Sequence, residues 1–297
     1  MEPTVAIITR TRNRPLLLKR AIHSVLKQSW PYWVHVIVND GGNPGEVEAV
    51  VGPYRAAYEG RLLIVTHPQS LGMEAASNAG IRVSSSDYVI IHDDDDSLEP
   101  DFLSETVAYL EAPPLPQVQG VVTLTTRIDE EIVDDTVRET GRRLYKSMEG
   151  CIRIDDMASL NSFPPISFLF RRHVLDEVGW FDEHLPVLGD WDFNLRFIMK
   201  HDIGVIPKAL ANYHHRPAIR QGQMGNTVHA QADLHAFYDM LVRNRYIRMT
   251  PSSNIGTLML RHHRQDLLIR LYRHPVIGRV IRLWSRWVNP NIPAKLL

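Results

Sequence analysis

The chain has a single cysteine, almost no net charge and no long apolar run. Its 297 residues include 33 Lys and Arg against 34 Asp and Glu, a formal charge of −1. The lone Cys151 excludes a disulfide framework and a zinc site built from cysteines. The balanced charge gives no reason to expect nucleic-acid binding. A composition of 44% hydrophobic and 23% charged residues is typical of a globular protein, not a disordered one.

No segment approaches the roughly 20 apolar residues that cross a bilayer. The N-terminus reads MEPTVAIITRTRNRP, with arginines directly after the apolar run 4–9. This is not the pattern of a signal peptide. We therefore expect a cytoplasmic protein, either free or held at the cytoplasmic face of a membrane by the C-terminal segment considered below.

Strands and helices alternate over the first 120 residues. Apolar and amphipathic patterns predict strands at 4–9, 34–38, 62–66 and 88–91, and helices at 15–28, 46–58 and 72–83. This alternation predicts a mostly parallel sheet with helices on both faces. Ligands of such sheets bind beyond the carboxyl ends of the strands. Because Asn39-Asp40 and the run Asp93–Asp96 both follow strands, we expect them to share one cleft.

The rest of the chain changes character near residue 221. Between 121 and 220, strand-like runs at 120–126, 166–170 and 203–207 are accompanied by predicted helices at 172–178 and 190–201. Beyond that point the sequence becomes arginine-rich and amphipathic. We predict that 1–120 and 121–220 are two halves of one α/β domain and that 221–297 is a helical extension.

Four consecutive aspartates, Asp93–Asp96, directly follow the predicted strand 88–91 in VIIHDDDDSLEP. Adjacent carboxylates repel one another unless water or a cation neutralises them. Oxygen ligands of this type suit Mg²⁺ or Mn²⁺, and such sites usually also bind phosphates. The alternative is a solvated helix N-terminus, because Ser97-Leu98-Glu99-Pro100 is predicted to begin a helix whose dipole favours acids. The purely apolar strand before the cluster favours the metal site.

Five segments within residues 4–216 carry motifs in a fixed order. They are VAIITRTRNRPLLLKRAIHSVLKQSW, VHVIVNDGG, LGMEAASNAGI, YVIIHDDDDSLEPDFL and FLFRRHVLDEVGWFDEHLPVLGDWDFNLRF. Together they resemble family 2 glycosyltransferases with the nucleotide-sugar-binding GT-A fold. The resemblance implies an inverting, metal-dependent enzyme. It would move a sugar from a nucleotide diphosphate, with UDP preferred, to a hydroxyl of a glycan or lipid-linked glycan, as in cell-surface polysaccharide synthesis.

The resemblance assigns residues to the nucleotide. It implies that Thr11 touches the nucleoside and that Asn39-Asp40 reads the base. Asn39 stands where the family has an acid, although an amide oxygen still accepts a hydrogen bond from uracil N3–H. Arg82, near the end of the helix 72–83, is expected to reach a phosphate, with a surface arginine as the alternative.

The resemblance also assigns a metal and diphosphate site. Asp95 is implied to be the main metal ligand, and Asp93 to face the ribose or the metal. In the run Tyr213-His214-His215-Arg216, neighbouring side chains of an extended segment point opposite ways, so one histidine reaches the cleft. We expect His215 to complete the Mn²⁺ or Mg²⁺ site, with a structural role as the alternative. Arg216 is expected to neutralise the leaving diphosphate.

Asp190 matches the acid of the family's Glu-Asp motif, whose carboxylate is the general base toward the acceptor hydroxyl. Gly189 stands where the family often has Glu. Asp192 is the alternative base, and N-terminal capping of the following helix is the other role open to both aspartates. Trp191 is expected to be a platform on which the acceptor sugar stacks, with core packing as the alternative.

Arginines and apolar residues, Trp284 and Trp287 among them, are interleaved at helical spacing over residues 258–287. A basic amphipathic helix of this kind suits an anionic membrane surface. Packing against its own domain or against another subunit is the alternative.

Two other functions compete with glycosyl transfer. A sugar nucleotidyltransferase would carry a glycine-rich phosphate loop after the first strand, but Arg10-Thr11-Arg12-Asn13-Arg14 contains no glycine. A catalytically weak GT-A-like scaffold or binding protein is suggested by Gly189 and Asn39, the two departures from the family's acids.

Overall fold

The computed structural model describes residues 2–134, 136–217, 224–225, 232–249, 277 and 279. The chain divides into two units, Met1–Val242 and Arg243–Leu297. The elements below belong to the first unit, apart from the last helix, whose residue range extends into the second.

Four parallel strands form the first half of the sheet. They are β1 (Val5–Thr11), β2 (Trp33–Asp40), β3 (Leu62–His67) and β4 (Tyr88–Asp93). β1 lies between β2 and β4, and β3 pairs with β2. Every residue of β1 is buried, as expected for a strand that is covered on both faces. The predicted parallel sheet of this region is confirmed.

The register of these strands brings their polar ends together. Arg10 of β1 is paired with Asp93 of β4, and Thr11 is paired with Asn39 of β2. The carboxyl ends of β1, β2 and β4 therefore meet at one edge of the sheet. This edge carries most of the side chains that the sequence assigns to the donor.

Helices cover both faces of this half. They are α1 (Pro15–Leu26), α2 (Pro44–Val51), α3 (Arg55–Tyr58), α4 (Met73–Val83) and α5 (Phe102–Glu111). Ile7 belongs to the same apolar core as Ile22 of α1. Ile8 points the other way and lies against Gly80 of α4, where an added Cβ would clash with the Ile8 side chain. Because successive side chains of β1 point to opposite faces of the sheet, this one strand contributes to the apolar packing on both faces.

The second half of the sheet is mixed. Its strands are β5 (Ser97–Leu98), β6 (Val118–Val133), β7 (Thr136–Leu144), β8 (Phe168–Arg171) and β9 (Asp202–His215). The order across the sheet is β3-β2-β1-β4-β8-β6-β9-β5, with β7 paired to β6. β6 and β9 are parallel, and the other pairings in this half are antiparallel. One sheet therefore includes strands from both sides of residue 120, where the sequence analysis divides the α/β domain into two halves.

Four further helices belong to the described chain. They are α6 (Ile154–Ser159), α7 (Val174–Val178), α8 (Gly189–Ile198) and α9 (Ala232–Met249). None of the helices in the described ranges is long and apolar enough to span a bilayer. The basic segment 258–287 lies outside the described residues except for Ile277 and Arg279, so its amphipathic character remains a prediction.

The structure corrects the alternative explanation of the acid run. Residues 97–98 form a short strand paired with β9, and the next helix begins only at Phe102. This pairing draws the acids inward, so that Asp94, Asp95 and Asp96 are 0%, 6% and 1% exposed. A solvated helix N-terminus is therefore the wrong explanation for the cluster.

Candidate active site

Arg10 is the cation at the centre of the sheet edge where the carboxyl ends of β1, β2 and β4 meet. Its Nε and Nη2 donate to Asp93 Oδ1 at 2.9 and 2.5 Å, and its Nη1 donates to Ser77 Oγ at 3.2 Å. Burial alone disfavours the charged guanidinium, but Asp93 and Glu74 outweigh it and raise the pKa of Arg10. The arginine therefore remains charged and links β1, β4 and α4.

A second arginine neutralises the next acids of the run. Arg14 Nη2 lies 2.6 Å from Asp94 Oδ1, and Arg14 Nη1 donates to Asp95 Oδ2 at 3.4 Å. Burial raises the pKa of Asp94 to about 6 despite Arg14. Burial also acts on Asp95, but Arg14 and Arg216 outweigh it and lower the pKa of that carboxyl to about 2. These neighbouring aspartates thus differ in proton affinity because Asp95 faces Arg216 in addition to Arg14.

Glu130 of β6 connects the acid run to β9. It accepts hydrogen bonds from Arg216 Nη1 at 2.6 Å, from Arg20 Nη1 at 2.8 Å and from His214 Nδ1 at 2.9 Å. Arg216 is fully buried and also donates to Asp95. Burial raises the pKa of Glu130, but the hydrogen bonds from His214 and Arg20 outweigh it and bring the value to about 2. Arg216 therefore lies between two carboxylates that are ionised at neutral pH.

The two histidines of β9 differ in their surroundings. His214 Nε2 lies 3.0 Å from Ser97 Oγ, and the His214 backbone N–H donates to Asp96 Oδ1 at 2.9 Å. His215 is also buried, and its ring packs edge-on against Tyr213 at 4.2 Å between centroids. Glu130 and Ser97 thus take both ring nitrogens of His214. The metal role of His215 remains a prediction.

Asp40 organises the loop that precedes α4. Its two carboxylate oxygens accept hydrogen bonds from the His67 ring, the Ser70 hydroxyl and the backbone N–H groups of Leu71 and Gly72. Burial opposes ionisation, but these donors outweigh it and lower the pKa of Asp40. Four donors take up the acceptor capacity of a carboxylate. The predicted contact between Asp40 and a base therefore requires that one of these bonds break.

Asn39 and Thr11 are likewise engaged within the protein. The Asn39 amide donates to Gly42 O and accepts from Gly42 N, both at 3.0 Å, and so shapes the turn after β2. Thr11 is 4% exposed, and its hydroxyl opposes the rise in the pKa of Asp94. Both residues lie at the predicted edge, and their nucleotide roles remain predictions.

Arg82 points away from this network. Its guanidinium lies 3.3 Å from Glu183 and 5.2 Å from the centre of the Trp180 ring, and more than half of its side chain is exposed. The arrangement agrees with a surface arginine, the alternative considered for this residue. The expected phosphate contact remains a prediction.

Asp190 lies in the first turn of α8 and is half-buried. Its Oδ2 accepts a hydrogen bond from Asn161 Nδ2 at 2.7 Å. Burial raises the pKa of Asp190, against the opposing effects of the Trp191 backbone N–H and of Arg10. A small cavity is lined by both Asp190 and Arg10, together with the rings of Phe170, Phe181 and Phe193. A carboxylate with raised proton affinity thus faces the same space as the cation that holds Asp93.

The neighbours of Asp190 correct three expectations. Asp192 is buried and its Oδ2 accepts from Arg196 at 2.9 Å, an arrangement typical of an ion pair within a helix rather than of a base. Neither aspartate is the N-cap, because that position belongs to Leu188. Trp191 is 1% exposed and its Nε1 donates to Met157 O at 2.7 Å. Its ring packs in the core, so it offers no platform for an acceptor sugar.

The sequence model of the glycosyl transferase family 2 matches residues 6–179, more than half of the chain. The chain is a family 2 glycosyltransferase. An uncharacterized glycosyltransferase of Bacillus subtilis, YwdF, is 25% identical over 86% of this chain and 89% of its own length. The family assignment favours glycosyl transfer over the two competing functions.

Solved structures share the GT-A fold of this glycosyltransferase. Staphylococcus aureus TarS 1-349 in complex with UDP-GlcNAc has a TM-score of 0.66 and 17% identity, covering 88% of this chain and 72% of that one. The mannosyltransferase PcManGT from Pyrobaculum calidifontis, solved with GDP-Man and Mn²⁺, has a TM-score of 0.56 and 14% identity. It covers 97% of this chain and 81% of its own. The predicted α/β GT-A fold is confirmed.

Sequence reasoning missed several charged residues of this glycosyltransferase. Arg10 and Arg14 were considered only as part of a loop without glycine, and Glu130 lies in an acidic stretch of weak periodicity. Glu74 is hidden in the apolar pattern of α4. For Arg10, Glu74 and Glu130 the available signal was a charged residue inside a strand or helix, where burial requires a partner. Arg14 lies in the loop before α1 and gives no such signal.

Asp93 and Asp95 have the donor chemistry that a divalent cation requires, since both offer hard carboxylate oxygens. Arg10 and Arg216 hold these two groups, however. Within the described part of the chain, no three His, Cys, Asp or Glu side chains are arranged to hold a metal ion. In this arrangement guanidinium groups balance the acids.

We expect Arg216→Met to lower the free energy of unfolding by about 3–5 kcal/mol, because two buried carboxylates lose their shared cation. Urea denaturation at pH 7 measures the change. Arg142→Met is the control, since its ion pair with Glu139 is exposed and its loss should cause no measurable change. Equal losses in the two variants would contradict a network centred on Arg216.

Proposed function

We propose that this glycosyltransferase moves a sugar from a nucleoside diphosphate donor, with UDP preferred, to a hydroxyl of a glycan or a lipid-linked glycan. The observation that carries the proposal is the position of Arg10. It pairs with Asp93 at the strand ends and lines the cavity that Asp190 faces. A candidate donor site and a candidate base are therefore adjacent.

Single displacement is the reaction that this arrangement supports. Asp190 accepts the proton of the acceptor hydroxyl while that oxygen attacks the anomeric carbon. The bond from the anomeric carbon to the diphosphate oxygen breaks on the opposite face, and its electrons leave with the nucleoside diphosphate. The new glycosidic bond therefore has inverted configuration. The raised pKa of Asp190 favours proton uptake, and Asn161 orients its carboxylate.

Cations at the strand ends suit an anionic donor. Arg14 is partly exposed and is fixed beside Asp95, where the diphosphate of a GT-A donor is expected. Arg216 is fully buried between Asp95 and Glu130, so its proposed contact with the diphosphate requires that this pairing open. Thr11, Asn39 and Asp40 at the neighbouring strand ends are the proposed nucleoside contacts. The complex of TarS with UDP-GlcNAc supports UDP as the first nucleotide to test.

Asp190→Asn should reduce kcat by roughly 100-fold or more, because an amide cannot take the acceptor proton, while affinity for UDP stays unchanged. Acceptor-dependent release of nucleoside diphosphate measures turnover. In the wild type, kcat/KM should fall as the pH drops through the raised pKa of Asp190, since protonation removes the base.

Asp192→Asn is the matched control on the same helix. It should keep turnover within about tenfold of the wild type, because Asp192 is paired with Arg196 and is not the proposed base. Normal turnover by Asp190→Asn, or a dead Asp192→Asn that still folds, would contradict the assignment of the base.

We also propose that transfer requires Mn²⁺ or Mg²⁺, with Asp95, Asp93 and His215 as ligands. The Mn²⁺ complex of PcManGT supports a divalent ion in this fold. Because Arg14 and Arg216 hold Asp95, a cation at Asp95 has to compete with guanidinium groups.

A panel of nucleotide sugars assayed with Mn²⁺, with Mg²⁺ and with EDTA tests the requirement for metal. EDTA should abolish transfer and added Mn²⁺ should restore it, while Asp95→Asn should stay inactive with either ion. Full activity in EDTA would contradict metal dependence and leave the arginines as the cations of the site.

We propose, from the sequence alone, that the basic segment 258–287 binds an anionic membrane surface that carries a lipid-linked acceptor. The full chain should co-sediment with vesicles containing anionic lipid but not with neutral vesicles, and a chain ending at Gly256 should bind neither. Equal binding by both chains would contradict this role for the segment.

A further inference from the structure

Glu74 is a buried carboxyl group that the proposed mechanism does not use. It lies in the first turn of α4 and is 3% exposed. Among the residues that the structure describes, its Oε2 has no hydrogen-bond partner, and its ion partner Arg10 lies at a distance of 3.8 Å, beyond hydrogen-bond reach. Burying a carboxyl group with so little compensation destabilises a fold. Such a group therefore points to a role at the site that it faces.

Glu74 fills the space beside the backbone of Gly189. A Cβ added at Gly189 would lie within 2.5 Å of Glu74 Cγ, Cδ and Oε1. Gly189 does not have the left-handed backbone that would itself favour glycine. Glu74 therefore occupies the space that a side chain at position 189 would need. The residue that follows this position is Asp190.

Arg10 joins Glu74 to the rest of the site. The Arg10 guanidinium contacts the first turns of α4 at three groups, which are Glu74, Ser77 Oγ and the backbone oxygen of Met73. The other edge of the guanidinium holds Asp93. Burial raises the pKa of Glu74 to about 8, opposed by Arg10 and reinforced by the charge of Asp190. The charges of Glu74 and Asp190 thus act on each other, and Arg10 acts on both.

We infer that Glu74 is a positioning residue of the transfer site. From α4 it supplies a second carboxyl group beside the backbone of Gly189, in the volume that a side chain at that position would occupy, and it pairs with Arg10, which holds Asp93 and lines the cavity that Asp190 faces. This inference rests on the proposed role of Asp190 as the base. It explains why the chain has glycine next to that aspartate, because the second acid comes from another helix.

Relocating the carboxyl group tests this arrangement. Glu74→Ala should lower kcat by about tenfold or more, with the KM for the donor changing less than about threefold. Adding Gly189→Glu to Glu74→Ala places a carboxyl group back in the vacated space. This double variant should return kcat to within about threefold of the wild type. The matched control is Glu74→Ala with Gly189→Gln, which fills the same volume with an amide and should stay at the low kcat.

Equal recovery with Glu and Gln at position 189 would show that only packing matters and would overturn the inference. Failure of both folded double variants to recover would overturn it too, as would wild-type kcat in Glu74→Ala. If Glu74→Ala does not fold, the isosteric Glu74→Gln replaces it. Loss of kcat in that variant is expected, and full kcat would overturn the inference.

The turnover of Asp190→Asn, compared with that of Glu74→Ala, distinguishes failure of this inference from failure of the proposed function. If that variant is inactive while Glu74→Ala is fully active, the base assignment stands and the role of Glu74 fails. If Asp190→Asn turns over normally while only the relocated carboxyl group rescues Glu74→Ala, the base assignment fails and the carboxyl group at Glu74 is still required.

Discussion

Pairing between buried guanidinium and carboxylate groups is the interaction on which this site depends. The hydrogen bonding of β4 and β5 carries the run Asp93–Asp96 into the interior, where an isolated carboxylate would be strongly destabilising. Arg10 on β1, Arg14 before α1 and Arg216 after β9 supply the compensating charge. Arg10 and Arg14 come from the β1–α1 segment, and Arg216 comes from the distant segment after β9. The ion pairs therefore fix how the strand ends, the first helix and the last strand lie relative to one another.

The same pairing shapes the chemistry that the glycosyltransferase can perform. A site whose charges are already balanced takes up a charged ligand by exchange, with a phosphate competing for a guanidinium or a cation competing for a carboxylate. Under the proposed function, the donor diphosphate meets cations that are already in place, which is the electrostatic preorganisation that favours departure of an anionic leaving group. Asp190 stands slightly apart from these pairs, held by Asn161, and retains a raised pKa.

The local sequence pattern was sufficient to predict the first four strands and the edge of the sheet at which the site lies. Apolar runs predicted β1 to β4 closely, and the rule that ligands bind at strand ends placed Asp40 and Asp93 at one edge. Partners distant in sequence were not predictable in the same way. Nothing local indicates that Glu130 meets Arg216, or that the missing side chain at Gly189 leaves room for Glu74. Trp191 was assigned to the acceptor because of its neighbours in the sequence, whereas the helix turns its ring into the core.

A single displacement assisted by one base inverts the anomeric centre, so the stereochemistry of the product is the sharpest test of the reaction proposed for this site. With a donor whose anomeric configuration is known, proton NMR of the newly formed glycosidic bond reads the configuration of the product. We expect an α-linked nucleotide sugar to give only the β-glycoside, formed at a rate that depends on Asp190. An α-glycoside from the same donor would contradict a single displacement at this site.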